Sequence, residues 1–166
     1  MQILITLLLA VMMMAGLFLL LLGGVGFVQN KSFFSSAPKE VRDAVPDTKP
    51  ERFKGQHIVG WIIIILAFAL MIGAVVIGAV MGIRDGLTFW QLFGRFLIIG
   101  VSMKVFDIVF FDYFILTRTR FFQHIFPETE GCKGWKDFGF NRKQQIRQCI
   151  MIPVCCLIIA LICTFL

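Results

Sequence analysis

"VSMKVFDIVFFDYF", residues 101–114, decides how the chain is read. Its apolar and aromatic residues belong in hydrocarbon, yet Lys104, Asp107 and Asp112 sit among them, where water cannot solvate a charge. If the stretch crosses a membrane, three ionisable groups must be accounted for at depth.

The surroundings favour the membrane. Of 166 residues, 58% are hydrophobic and 19 are Phe, and the mean hydropathy is +0.87, well beyond the apolar share of a soluble domain. The apolar residues fall into four blocks, about 3–28, 57–83, 96–117 and 149–166. Each matches the roughly 17–25 residues that carry a helix across about 30 Å of hydrocarbon. The alternation of a barrel strand is missing, and only helices otherwise satisfy every backbone group within a span. The expected fold is therefore an all-α bundle of four transmembrane helices in one domain, joined by long loops at 29–56 and 118–148. The first block has no Lys or Arg ahead of it, an overlong apolar core and no small-residue cleavage pattern, so it reads as a permanent helix.

Charge sets the expected orientation. Six Lys or Arg lie between the first two blocks and seven between the last two, whereas the turn "IRDG" between the second and third has Arg84 alone. The positive-inside rule places both long loops in the cytoplasm and both termini outside, with a bacterial inner membrane as the expected location. The net charge of +6 then records topology and contact with anionic headgroups, not nucleic-acid binding.

Within the first loop, "SAPKEVRDAV" has a cap-like Ser36, Pro38 in the first turn and helical charge spacing, which predicts a short interfacial helix beside Phe33 and Phe34. In the second loop, Trp135, Phe138 and Phe140 are expected to dip into the headgroup layer, and Arg118, Arg120 and His124 are candidates for headgroup or phosphate contact. His124, with Glu128 and Glu130 nearby, suggests the acid or base of a lipid-modifying enzyme. His124, Glu128, Glu130 and Cys132 make a poor metal set, because Pro127 breaks any helix that would align them. No metal or other cofactor is expected.

Small residues mark expected packing faces. Ala74, Gly78 and Gly82 recur every four residues, "GAVMG" included, and Gly23, Gly24 and Gly26 allow close backbone approach. Cys149, Cys156 and Cys163 recur every seven residues, as a packing seam would; five cysteines in this setting do not suggest a disulfide framework. Arg95 reads as an outer-boundary anchor that snorkels to water.

Lys104 and Asp107 are three apart and can pair on one helix face. Asp112 lies about 80° round an α-helix from Lys104 and about 140° from Asp107, so it is expected to face water or Arg118 instead. No catalytic signature such as GxSxG, HExxH or a P-loop is present. The leading expectation is a small membrane protein that binds or transports a polar or charged species through Lys104, Asp107 and Asp112, as a homo-oligomer or with a partner subunit. Two alternatives are an accessory subunit whose Lys104 and Asp107 meet charges on a larger partner, and a lipid-modifying enzyme.

Overall fold

The computed structural model describes residues 2–34, 37–136 and 139–166, with no account of the side chains of Phe34 and Lys136. The described residues contain helices and turns, with one isolated antiparallel bridge, Asn30 to Thr48. Ser36 and Phe138, singled out in the sequence, lie outside the described residues.

Helix α1, Gln2–Leu21, continues without a break as a π-helix, Leu22–Val28. Helix α2 is the short Lys39–Ala44, and Pro38 is its N-cap, one position earlier than the first turn. Helix α3, Gln56–Arg84, turns tightly into α4, Phe89–Phe106, which continues as a second π-helix, Asp107–Arg118. A short α5, Phe121–Ile125, and two 3₁₀ turns lead to α6, Arg142–Phe165. Three of these helices are long and apolar enough to cross a membrane: Gln2–Val28, Gln56–Arg84 and Arg142–Phe165. The third apolar block is the one that differs, since three charged residues and a change of helix type interrupt it.

Two boundaries differ from the sequence reading for local reasons. The lead-in to α4 is already helical, because Gln91 Oε1 accepts from Thr88 N at 2.9 Å and ties the first turn. Helix α6 begins seven residues before its apolar block, so its polar first turns are helical and stand beside α4. Pro153 sits inside α6 without ending it, as packed membrane-type helices tolerate.

Helix α1 is central, with α3 on one side and α4 on the other; α6 packs against α4. The α1–α3 contact is a close approach of backbones. A Cβ on Gly16 would lie 2.9 Å from the Ala67 carbonyl oxygen, and one on Gly23 would lie 3.0 Å from that of Gly60. Such contact substitutes for the hydrophobic drive that lipid does not supply. One core, including Leu9, Met13, Ala74, Phe96, Ile99 and Cys156, fills the four-helix end. A second core gathers Val41, Val45, Phe122, Phe126 and Trp135 from the two long loops against Val25, Ile115 and Leu116.

The loops therefore fold on each other. Lys49 Nζ donates to the Ile125 carbonyl at 2.9 Å, pairs with Glu128 at 2.9 Å and lies 4.8 Å from the Phe126 ring centre. Burial raises the Glu128 carboxyl, but its own backbone N–H and Lys49 outweigh this and hold it below the ordinary range. At the start of α3, the His57 and Gly55 backbone amides both donate to Glu51 and depress its carboxyl as well. Trp135 is 3% exposed, stacks on Phe122 at 5.0 Å and donates Nε1–H to the Thr129 carbonyl. It belongs to the loop core, which corrects the expectation that it dips into headgroups.

Candidate functional site

The three charges of the opening stretch lie where α4 changes to π-helix. In a π-helix each N–H reaches five residues back, as Thr119 N does to the Phe114 carbonyl at 3.2 Å. Residues five apart are then about one turn apart. Asp107 and Asp112, which α-helical geometry would set about 140° apart, come round to one face and line the same cavity. Extended π-helices are rare and tend to mark functional positions.

Lys104 is 5% exposed and carries two partners. Its Nζ lies 2.7 Å from Asp107 Oδ2, and it also donates to Gln148 Oε1 on α6. Asp112 does not reach Arg118. It accepts from Asn141 Nδ2 at 3.0 Å and from Gln145 Nε2, while Arg118 donates to the Tyr113 hydroxyl at 2.7 Å and lies over that ring. The polar set is thus wider than three residues. Asn141, Gln145 and Gln148 follow one stripe of the early turns of α6, and the signal in the sequence was their i, i+4, i+7 spacing just ahead of the apolar block.

Two open cavities meet at this cluster. One, of about 310 Å³, lies between α1, the π-helix and the folded loops, and includes Phe33, Asp107, Phe111, Asp112, Trp135 and Phe140 in its lining. The other, of about 300 Å³, lies toward α6 and includes Lys104, Asp107, Gln148 and Cys155. Leu17 and Asp107 belong to both. Asp107 therefore borders both cavities, and its partner Lys104 borders the second.

The remaining candidates are placed apart. Ala74, Gly78 and Gly82 are all buried, with Gly78 facing Leu9 and Phe96 and Gly82 facing Leu92. Cys156 and Cys163 are buried and Cys149 is exposed. Arg118, Arg120 and His124 are exposed; Arg118 is engaged with Tyr113, and Glu128 is taken by Lys49. Burial, and then Glu40, pushes the Cys132 thiol up, away from the thiolate a metal or nucleophile role requires. Among the described residues no three His, Cys, Asp or Glu side chains converge as a metal set.

Arg95 departs most from its expected role. It is 3% exposed, points inward, and donates to the Gly78 carbonyl at 2.9 Å and to Gln2 Oε1. Gln2 Nε2 in turn donates to Asp85 Oδ2 at 2.8 Å. The start of α4 two turns before its apolar block carries Arg95 between the helices, so it clasps α1, α3 and α4 instead of snorkelling outward.

Comparison with protein-family models, with curated proteins and with solved structures finds no match for this chain.

Proposed function

We propose that the chain is a four-span membrane protein that binds or transports a polar or charged species through Lys104, Asp107 and Asp112, with both long loops in the cytoplasm. The observation that carries this reading is that Asp107, paired with the buried Lys104, borders two cavities, one of which Lys104 also lines. A pair placed only for stability gains little from lining open space, and an apolar pair of the same volume would serve as well or better. Ionisable groups at such depth line pathways or recognise polar ligands.

The fourth span of this proposal is α4 with its π extension, 18 and 12 residues long. It runs beside α1 and α6, and its ionisable groups are turned toward partners or cavities inside the protein. Because Lys104 finds its counter-charge within its own chain, a partner subunit is not needed to neutralise it, which sets the accessory-subunit reading second. Arg118 is engaged with Tyr113 and Glu128 with Lys49, which sets the enzyme reading third. Completion of the pathway by a homo-oligomer in a bacterial inner membrane rests on the charge bias of the loops and on the thin polar lining one chain supplies.

The test is native mass spectrometry of the full chain released from nanodiscs, wild type beside Lys104→Met. The reading expects a discrete retained mass in wild type that the variant loses. If no small mass is ever retained and the variant instead loses a partner chain, the charges serve assembly and the binding reading falls.

A further inference from the structure

We propose that the 310 Å³ cavity between α1, the π-helix and the folded loops binds an organic ammonium ion carried on an apolar body, with Asp112 as its counter-charge. This rests on the binding reading above and names the ligand class for it.

The first argument is charge. The cluster holds one cation and two carboxylates, and Lys104 is engaged by Asp107. Among the described residues no Lys, Arg or His nitrogen comes within ion-pair distance of Asp112. Its partners are the amides of Asn141 and Gln145, which donate but neutralise nothing. Both bonds end on Oδ2, and a carboxylate has acceptor capacity beyond that. A carboxylate that lines a cavity and has no cation beside it calls for a donor-rich, positive group.

The second argument is the wall. Apart from Asp107, Asp112 and Ser32, the lining is apolar, with Phe33, Phe111, Phe122, Trp135 and Phe140 supplying ring surface. The indole N–H of Trp135 is taken by Thr129, so Trp135 offers its ring system and not a donor. Aromatic surface beside a carboxylate is the chemistry that recognises alkylated or primary ammonium ions. It disfavours the other charged classes. A hard metal ion needs six or more oxygens, which this lining does not provide. An anion would find no Lys or Arg among the described residues of the lining. The volume is at the small end of ligand sites, roughly 300–1,000 Å³, and admits a headgroup or a compact amine with part of its chain.

Such an ammonium can arrive from solution as an amphiphilic amine or from the bilayer as an aminophospholipid headgroup. The experiment separates the two. Full-length protein carrying Trp61→Phe and Trp90→Phe, so that Trp135 is the fluorophore, is placed in nanodiscs of digalactosyldiacylglycerol, which carries neither an ammonium nor a net charge that would favour one probe at the surface. It is titrated with decyltrimethylammonium, and in parallel with decyl sulfate and decyl maltoside to match the apolar chain.

The expected result is saturable quenching by the ammonium only. Asp112→Asn should weaken it about tenfold or more, the worth of a charge-assisted contact, and Asp112→Glu should restore it. Nanodiscs doped with phosphatidylethanolamine should block the signal if the lipid is the natural source and leave it unchanged if the source is soluble; either supports the site. Equal quenching by decyl sulfate, or an Asp112→Asn protein that binds like wild type, overturns the proposal. The sulfate arm needs no variant at position 112 and so decides the matter even if that variant does not fold. If native mass spectrometry retains a Lys104-dependent mass while the ammonium titration is flat, the ligand class is wrong and the binding reading stands. If both are blank, both fall.

Discussion

Replacing Lys104 with Met leaves Asp107 without its cation and Gln148 Oε1 without its donor. Removing one partner of a buried pair costs about 3–5 kcal/mol, because the remaining charge is uncompensated. Asp107 is 28% exposed and borders both cavities, so water softens the penalty and the lower end, about 3 kcal/mol, applies. Asp107→Asn strands Lys104, which is more deeply buried, and the cost rises to about 4 kcal/mol on the same scale. The double variant strands no charge but still leaves Gln148 Oε1 without its donor, so it should lie within about 1–2 kcal/mol of wild type, far less than the sum of the singles. The assay is reversible unfolding in mixed micelles by titrated dodecyl sulfate, all four proteins in parallel. Strong non-additivity, with the double variant far more stable than the sum of the singles, is the expected signature. If the two losses simply add, Lys104 and Asp107 are not coupled as a charge pair.

Further expectations concern the scaffold. Gly60→Ala drives a Cβ to 2.9 Å from the Val28 backbone nitrogen and should cost about 1–3 kcal/mol by overpacking α1 on α3. Gly94→Ala meets nothing within 4 Å and should be neutral or stabilise by about 0.5–1 kcal/mol, measured in the same titration. Trp135→Phe keeps the ring stack but removes one of the two donors to the Thr129 carbonyl, leaving the Cys132 N–H at 3.2 Å, with an expected loss of about 0.5–1.5 kcal/mol. Glu128, held below the ordinary carboxylate range, stabilises the loop unit fully above its unfolded value, near 4.3. That contribution disappears as the pH falls through the lower folded value. Hydrogen exchange of Phe121–Ile125, corrected for intrinsic rates, should therefore rise on acidification below that range, and Glu128→Gln should flatten the rise while lowering protection at neutral pH.

Much of this was legible in the residues, and the failures have physical causes. Block lengths located α1 and α3 to within a residue or so, because a long apolar run has one economical conformation in lipid. Lys104 and Asp107 were three apart and did pair. Asp112 was misplaced because a 100° step was applied to a segment whose hydrogen bonds reach five residues back, and no composition rule announces that change. Gln145 and Gln148 were missed because polar residues before an apolar block read as loop, although their spacing was helical. Arg95 and Trp135 were sent to the interface by average behaviour. Tertiary partners reversed both, with a carbonyl at Gly78 for one and at Thr129 for the other.

The Arg95 clasp also bears on how the chain is made. On the four-span reading proposed above, Arg95 is a bare guanidinium until the Gly78 carbonyl and Gln2 stand beside it, in a segment that already carries Lys104 and two aspartates, a poor candidate for release into lipid alone. The carbonyl lies on α3, the neighbour that α4 follows through a tight turn, and Gln2 belongs to α1, which precedes both. The ribosome thus delivers the acceptors before the donor. Helix α4 should leave the insertion machinery as a hairpin with α3 onto a waiting α1, and a truncation lacking α1 should be held back or degraded at that step.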